Sequence, residues 1–164
     1  MTKIQTNLMD KIKIVIAVLI CEFAGIIGAV FTTPAITTWY ATIQKPSFNP
    51  PNWIFFPVWT VLFLLMGLSL YIVWTKGLDK KEVRKAAYVF AFQLILNIAW
   101  SIIFFGFKNP FLAFIEIILL WISILATIIL FYRISKKAGA IMIPYILWVT
   151  FAAFLNYSVW ILNH

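Results

Sequence analysis

Five apolar stretches, each about as long as a membrane-spanning helix, run through this chain of 164 residues. Crossing ~30 Å of hydrocarbon takes roughly 20 residues at a rise of about 1.5 Å each, and a helix satisfies its backbone hydrogen bonds without water. The stretches cover approximately residues 12–33, 54–75, 85–106, 111–133 and 140–163. The sequence therefore predicts an all-α integral membrane protein, folded as one five-helix bundle over residues 1–164.

Composition excludes a soluble domain. Hydrophobic residues make up 64% of the chain and charged residues 11%, whereas soluble domains are about 45–50% apolar and about 25% charged. The formal net charge of +8 comes from short basic runs between apolar stretches, without the basic, aromatic-lined groove of single-strand binders. No nucleic-acid partner is predicted. With one cysteine, Cys21, and one histidine, His164, no metal site is predicted either.

The basic residues predict the orientation. All of the 13 Lys and Arg residues except Lys45 and Lys108 flank the first stretch or lie in the second and fourth connections. An excess of Lys and Arg marks the cytoplasmic side, so we expect a cytoplasmic amino terminus and an outer carboxyl terminus. The first stretch is too long for a signal peptide and has no clear cleavage site, so a permanent helix is predicted.

The connection over residues 34–53 is long and rich in proline and aromatic residues. It holds four of the seven prolines together with Trp39, Tyr40, Phe48 and Trp53. Long loops in compact domains are usually functional or disordered, and disordered segments are poor in aromatic residues. We expect an ordered lid over the bundle. A belt of interfacial aromatic residues with no cavity beneath it is the alternative.

Two helix faces combine amide and aromatic side chains. At helical spacing, they consist of Gln93, Asn97, Trp100 or Ser101 and Phe104 on the third stretch, and of Trp148, Ala152, Leu155 and Asn156 on the fifth. Amides that face hydrocarbon are costly, so both faces are predicted to point into the bundle. These faces serve either to form hydrogen bonds between helices or to bind a ligand, and the spacing alone does not decide between the two. A hydrogen bond between membrane helices is worth ~0.6 kcal/mol on average.

Two acids, Glu22 and Glu116, lie within the apolar stretches. Ionisable residues inside a membrane are candidates for function. A proton-coupled exporter using Glu22 is one interpretation, and a protonated carboxyl bonded to a neighbouring helix is the more economical one.

Small residues recur every four positions in the first stretch, at Ala17, Cys21, Gly25 and Ala29. This spacing is typical of close helix–helix contact, within the chain or in a dimer. Gly25, Gly67 and Ala152 allow either such contact or a wider cavity.

These motifs, taken in order, resemble the translocator protein family, also called the tryptophan-rich sensory protein or TspO/MBR family. They are Trp39-Tyr40, the run from Gln44 to Trp53, Pro57-Val58-Trp59, Met66-Gly67, Gln93 to Gly106, Pro144-Tyr145, Trp148 and Leu155 to Trp160. The resemblance implies a five-helix bundle, a homodimer, and a cavity that the first loop covers. It departs from the mammalian sterol motif, because no basic residue follows Tyr157.

The resemblance also implies ligands and residues. Members of the family bind porphyrins and other tetrapyrroles, such as protoporphyrin IX or haem, as ligands and not as required cofactors; mammalian relatives also bind synthetic benzodiazepine-type compounds. Membrane lipid is the other partner. The implied binding residues are Trp39 in the lid and Trp53, Phe55, Asn97, Trp100, Trp148, Ala152 and Leu155 in the cavity.

Three functions follow as hypotheses. The first is a sensor, regulator or transporter of tetrapyrroles, expected in a bacterial plasma membrane because no transit sequence is present. The second is an enzyme that degrades porphyrin with light and oxygen, for which Trp53, Trp100 and Trp148 are the catalytic candidates, although no conventional catalytic motif occurs. The third is the proton-coupled exporter.

Overall fold

The computed structural model describes residues 3–164, with side chains from Leu8 onward. Within this range the chain forms seven α-helices and one π-helical segment. They are α1 (Lys3–Ile36), α2 (Trp39–Thr42), α3 (Asn52–Trp74), α4 (Lys81–Ser101), the π-helical segment (Ile102–Gly106), α5 (Pro110–Ile134), α6 (Lys136–Ile141) and α7 (Ile143–Leu162).

Five helical units are long and apolar enough to cross a membrane. They cover Leu8–Ile36, Asn52–Trp74, Lys81–Gly106, Pro110–Ile134 and Lys136–Leu162. Each corresponds to one of the stretches predicted above, so the all-α five-helix membrane fold is confirmed. Which end of the bundle faces the cytoplasm stays a prediction.

The boundaries differ from the prediction at both ends of the first connection. Helix α1 continues through Pro34 to Ile36, and the hydroxyl of Thr38 donates a hydrogen bond to the carbonyl of Pro34 (2.7 Å). The connection between α1 and α3 is therefore residues 37–51, which we call the lid loop, and it contains the short helix α2. The fifth span is broken at Met142, just before Pro144, whose ring lacks the N–H that a continuous helix needs.

Packing places the helices in a ring. Helix α1 packs against α3 and α4, α5 packs against α4 and α7, and α3 packs against α6 far more than against α7. Because α3 and α7 are in contact over so short a length, the bundle is loosest between them at the end that carries the lid loop.

The small residues of α1 and α3 are used for close contact. A Cβ atom added to Gly67 would lie 2.6 Å from the Cα of Val18, and one added to Gly25 would lie 2.6 Å from the ring of Phe63. Ala17 and Cys21 are fully buried. Ala17, Cys21, Gly25 and Gly67 therefore pack helices within one chain, whereas Ala29, the fourth small residue of the α1 pattern, is exposed and lines a cavity.

Candidate ligand cavity

A cavity of about 240 Å³ lies between α1, α3, α4 and α7 beneath the lid loop. Its lining residues on α1 run from Glu22 to Ile36, so at about 1.5 Å per residue it is a slot roughly 21 Å long. The lining includes six of the residues that the resemblance implied, Phe55, Asn97, Trp100, Trp148, Ala152 and Leu155. Both amide-bearing faces thus lie inside the bundle.

Hydrogen bonds between helices hold the amide of Asn97 in place. Its Nδ2 donates to the hydroxyl of Tyr145 (2.9 Å), which in turn donates to Oε1 of Gln93 (3.0 Å). No side chain in the described part of the chain donates to Oδ1 of Asn97, which lines the cavity. The same amide therefore links two helices and offers an acceptor to the cavity.

A second set of hydrogen bonds holds the indole of Trp100. Its Nε1 donates to Oδ1 of Asn156 (3.0 Å), and Nδ2 of Asn156 donates to the carbonyl of Pro110 (2.8 Å). The ring of Trp100 stacks on Phe104, with centroids 5.0 Å apart and planes 20° apart. One flat aromatic wall of the cavity is thereby fixed in orientation.

Replacing Tyr145 by Phe should destabilise the bundle. Tyr145 is fully buried, and losing its hydroxyl leaves the Asn97 Nδ2 donor and the Gln93 Oε1 acceptor without these partners. We expect the free energy of unfolding to fall by about 1–2 kcal/mol, which is within the range for buried polar groups that lose a partner. Reversible unfolding in mixed micelles measures it. Tyr88→Phe, on an exposed side chain, is the control, and equal stability of the two variants would contradict the network's role.

The lid loop is packed on the bundle through aromatic side chains. The ring of Trp39 lies 5.6 Å from that of Phe104, and the buried Tyr40 lies 5.8 Å from Phe105. The hydroxyl of Tyr40 donates to Oδ1 of Asn49 (2.7 Å). Burial raises the pKa of Tyr40 to about 12, so this hydroxyl remains a donor at neutral pH. Tyr40 contributes to the cavity lining, whereas Trp39 does not.

The carboxyl-terminal end of α7 also holds the lid loop. The backbone N–H of Gln44 donates to Oδ1 of Asn163 (2.9 Å), and Nδ2 of Asn163 donates to the carbonyl of Gln44 (2.9 Å). The ring of Phe48 packs edge-on against Phe151 at 6.3 Å. These contacts join residues more than 100 positions apart, and no local pattern in the sequence indicates them.

The π-helical segment shapes the wall next to the lid loop. The backbone N–H of Phe107 bonds to the carbonyl of Ile102 (2.8 Å), one residue further back than in an α-helix. Phe104 and Phe105, both in this segment, line the cavity. Sequence reasoning missed this segment, which has no clear sequence signal.

Two expected placements, those of Trp39 and Trp53, are corrected by the structure. Trp39 packs against Phe104 and is not part of the cavity lining. The side chain of Trp53 is 72% exposed and lies outside the cavity lining. Helix α3 begins at Asn52, and its residues in the cavity lining recur at helical spacing from Asn52 and Phe55. Trp53 does not lie on this face of the helix, so its side chain is turned away from the cavity. Trp53 therefore does not join Trp100 and Trp148, and porphyrin breakdown by these three residues stays a prediction.

Three buried polar atoms have no hydrogen-bond partner within the described residues. They are both carboxyl oxygens of Glu116 and Nε1 of Trp148. The expectation that a carboxyl bonds to a neighbouring helix is thus wrong for Glu116. Glu22 lies elsewhere, in the cavity wall, where Trp59 and Phe63 also lie. Glu22, Trp59 and Phe63 were not among the binding residues predicted from the sequence.

Five membrane-spanning helices around an aromatic cavity, closed at one end by a packed loop, define a small helical membrane protein with an internal site. Residues 17–161 match the TspO/MBR family, and the chain belongs to this family. The resemblance seen in the motifs is confirmed.

Curated relatives support this assignment. The chain is 44% identical to the Tryptophan-rich protein TspO of Chlorobaculum tepidum, over 88% of this chain and 91% of the relative. It is 42% identical to the Tryptophan-rich protein TspO of Archaeoglobus fulgidus, over 94% and 99% of the two chains. It is 35% identical to the Translocator protein of Bos taurus, over 87% and 85%.

Proposed function

We propose that this protein binds porphyrins or related flat tetrapyrroles in the cavity, and that it senses or transports them in a bacterial plasma membrane. The observation that carries the proposal is the shape and chemistry of the cavity: a long slot with indole and phenyl walls and few polar groups. The names of relatives, a translocator protein from Homo sapiens and a tryptophan-rich sensory protein from Cereibacter sphaeroides, are consistent with both roles.

Aromatic walls suit a flat ring system. Planar π-systems pair with offset-stacked or edge-on rings at centroid distances of about 4.5–7 Å, each pair contributing roughly 0.5–1.5 kcal/mol beyond burial. Trp100 presents an indole already stacked on Phe104, and Trp148 contacts Phe55 edge-on at 6.0 Å. The free acceptor of Asn97 supplies one oriented polar contact for a ring N–H.

The cavity is small for a tetrapyrrole but has an open side. Its volume of about 240 Å³ lies just below the ~300–1,000 Å³ of small-molecule sites. Exposed residues of α1 and α3, among them Ile26 and Phe56, form one edge of the lining. We infer that a ring system larger than the cavity extends past these exposed side chains toward lipid, where its apolar edge is well solvated.

The proposal is tested by titrating purified protein in detergent micelles with protoporphyrin IX, following the shift of the porphyrin absorption band. We expect saturable binding at low micromolar concentration. Trp148→Phe should weaken binding about 3- to 10-fold, since one indole contact is reduced. Trp53→Phe, which alters an exposed indole outside the cavity, should leave the affinity unchanged.

Two outcomes would reject this proposal. One is the absence of saturable binding by the wild-type protein. The other is an equal effect of Trp148→Phe and Trp53→Phe, which would place the bound porphyrin outside the cavity. Porphyrin flux across proteoliposomes then separates the two roles, because transport requires flux and sensing requires binding alone.

A further inference from the structure

Glu22 marks the deep end of the cavity. It is the first of the α1 residues in the lining, and the last of them, Ile36, lies near the lid loop. Glu22 is the acidic residue of this lining, and no Lys, Arg or His residue lines the cavity in the part of the chain that the structure describes. One carboxyl group is thus placed at the end of an otherwise uncharged slot.

The surroundings of Glu22 offer it no partner. No side chain or backbone group among the described residues forms a hydrogen bond or an ion pair with its carboxyl. The lining residues near it on α1 and α3 are apolar: Gly25 and Ile26, and Phe63, whose ring meets α1 at Gly25. Asn97 of α4 is the polar lining residue at about this depth, because it lies one turn before Ser101, whose side chain meets α1 at Gly28. A carboxyl group inside a membrane normally pairs with a cation, a hydrogen-bond donor or water, so a partner must come from what occupies the cavity.

We propose that Glu22 determines which ligands the cavity accepts, by binding an ammonium or N–H group at the deep end of a flat apolar ligand and disfavouring an anionic group there. The inference rests on the proposed function, since it requires a ligand in the cavity. A ligand with carboxylates on one edge is then oriented with that edge toward the lid loop. Lys45 lies there, with its Nζ 4.8 Å from the ring centroid of Tyr40, a lining residue.

The chain itself provides a matched control. Glu116 is a second acid within the membrane-spanning helices; it lies on α5, is buried, and lies outside the cavity lining. Changing Glu116 to Gln removes the same charge from the bundle without touching the cavity. A general effect of losing an intramembrane acid appears in both variants, whereas an effect on ligand choice appears only in Glu22→Gln.

The test uses three probes that differ in one terminal group: an anthracene ring with a three-carbon chain that ends in ammonium, hydroxyl or carboxylate. Their affinities for the full-length protein in detergent micelles are measured by anthracene fluorescence, with protein-free micelles as the blank. We expect the ammonium probe to bind at least ~10-fold more tightly than the hydroxyl probe, the size of a charge-assisted hydrogen bond, and the carboxylate probe to bind most weakly.

Glu22→Gln should abolish the preference for ammonium and leave the affinity for the hydroxyl probe within about 3-fold, which also shows that the variant is folded. Glu116→Gln should keep the wild-type preference. Equal affinities of the wild-type protein for the three probes, or a preference that survives in Glu22→Gln, would overturn this inference while leaving the proposed cavity intact. Failure of all three probes to bind a wild-type protein that still binds protoporphyrin IX saturably would also overturn this inference, whereas failure of protoporphyrin IX to bind would overturn the proposed function.

Discussion

Replacing Ala152 by Trp is expected to lower the affinity for protoporphyrin IX about 100-fold or more while leaving the bundle folded. Ala152 lies on α7, one turn from Trp148, and its side chain lines the cavity. An indole at this position occupies much of a cavity of about 240 Å³. A 100-fold loss corresponds to ~2.7 kcal/mol, a few aromatic contacts at about 0.5–1.5 kcal/mol each plus the apolar area that can no longer be buried.

The added side chain has free space to enter, so the cost of overpacking, about 1–3 kcal/mol in a filled core, is expected to be largely avoided. Affinity is measured from the porphyrin absorption band, and folding from the thermal unfolding midpoint. Ala91→Trp, which adds an indole to an exposed position on α4, is the control. An affinity for Ala152→Trp within about 3-fold of wild type would show that porphyrin binds elsewhere.

The helical periodicity of polar residues made much of the cavity predictable. Gln93 and Asn97, one turn apart on a helix rich in apolar residues, have no acceptable place in lipid, so their face had to point inward. Trp100 and Phe104 follow at the same spacing and are brought to the same wall. The membrane imposes this constraint, because an amide without a protein partner can bond to water at an aqueous surface but has no partner in hydrocarbon.

The start of α3 and the end of α4 were not predictable from the same rule. The predicted stretch began near residue 54, so helical spacing was not applied to Trp53, whose place in the cavity was implied by the resemblance alone. The helix in fact begins at Asn52, and a residue two positions from Phe55 lies about 200° around the helix from it, so Trp53 is turned away from the cavity while Asn52 lines it. The π-helical segment changes the periodicity itself within one span. Both effects occur where the chain enters or leaves the apolar stretch and the spacing rule is weakest.

Contacts between distant residues were also beyond a reading of the sequence. The double hydrogen bond between Gln44 and Asn163 depends on where the lid loop meets the end of α7. The position of Glu22 in the cavity wall depends on the rotation of α1, which the close contact at Gly67 sets. An isolated acid in an apolar helix indicates a candidate for function, but its partner, or lack of one, is a property of the packed bundle.

Gly67→Ala is expected to lower the free energy of unfolding substantially for a single substitution in a helix. The added Cβ would lie 2.6 Å from the Cα of Val18 and 3.0 Å from its backbone nitrogen. Backbone atoms cannot rotate away as a side chain can, so α1 and α3 must separate. Ala favours the helix over Gly by about 1 kcal/mol, yet separating two packed helices costs about 3 kcal/mol or more, so a net loss of about 2 kcal/mol or more is expected.

Gly106→Ala is the matched control, because its added Cβ would lie 3.2 Å from a ring atom of Phe31, a side chain that can shift. We expect that variant to remain within about 1 kcal/mol of wild type. Unfolding free energies in mixed micelles compare the two, and wild-type stability of Gly67→Ala would mean that α1 and α3 do not cross in contact. Helix α1 carries one wall of the cavity on the lid-loop side of this crossing. The weakened crossing in Gly67→Ala should therefore also lower the affinity for porphyrin. Gly106→Ala should lower this affinity less, because its added methyl group displaces only a side chain.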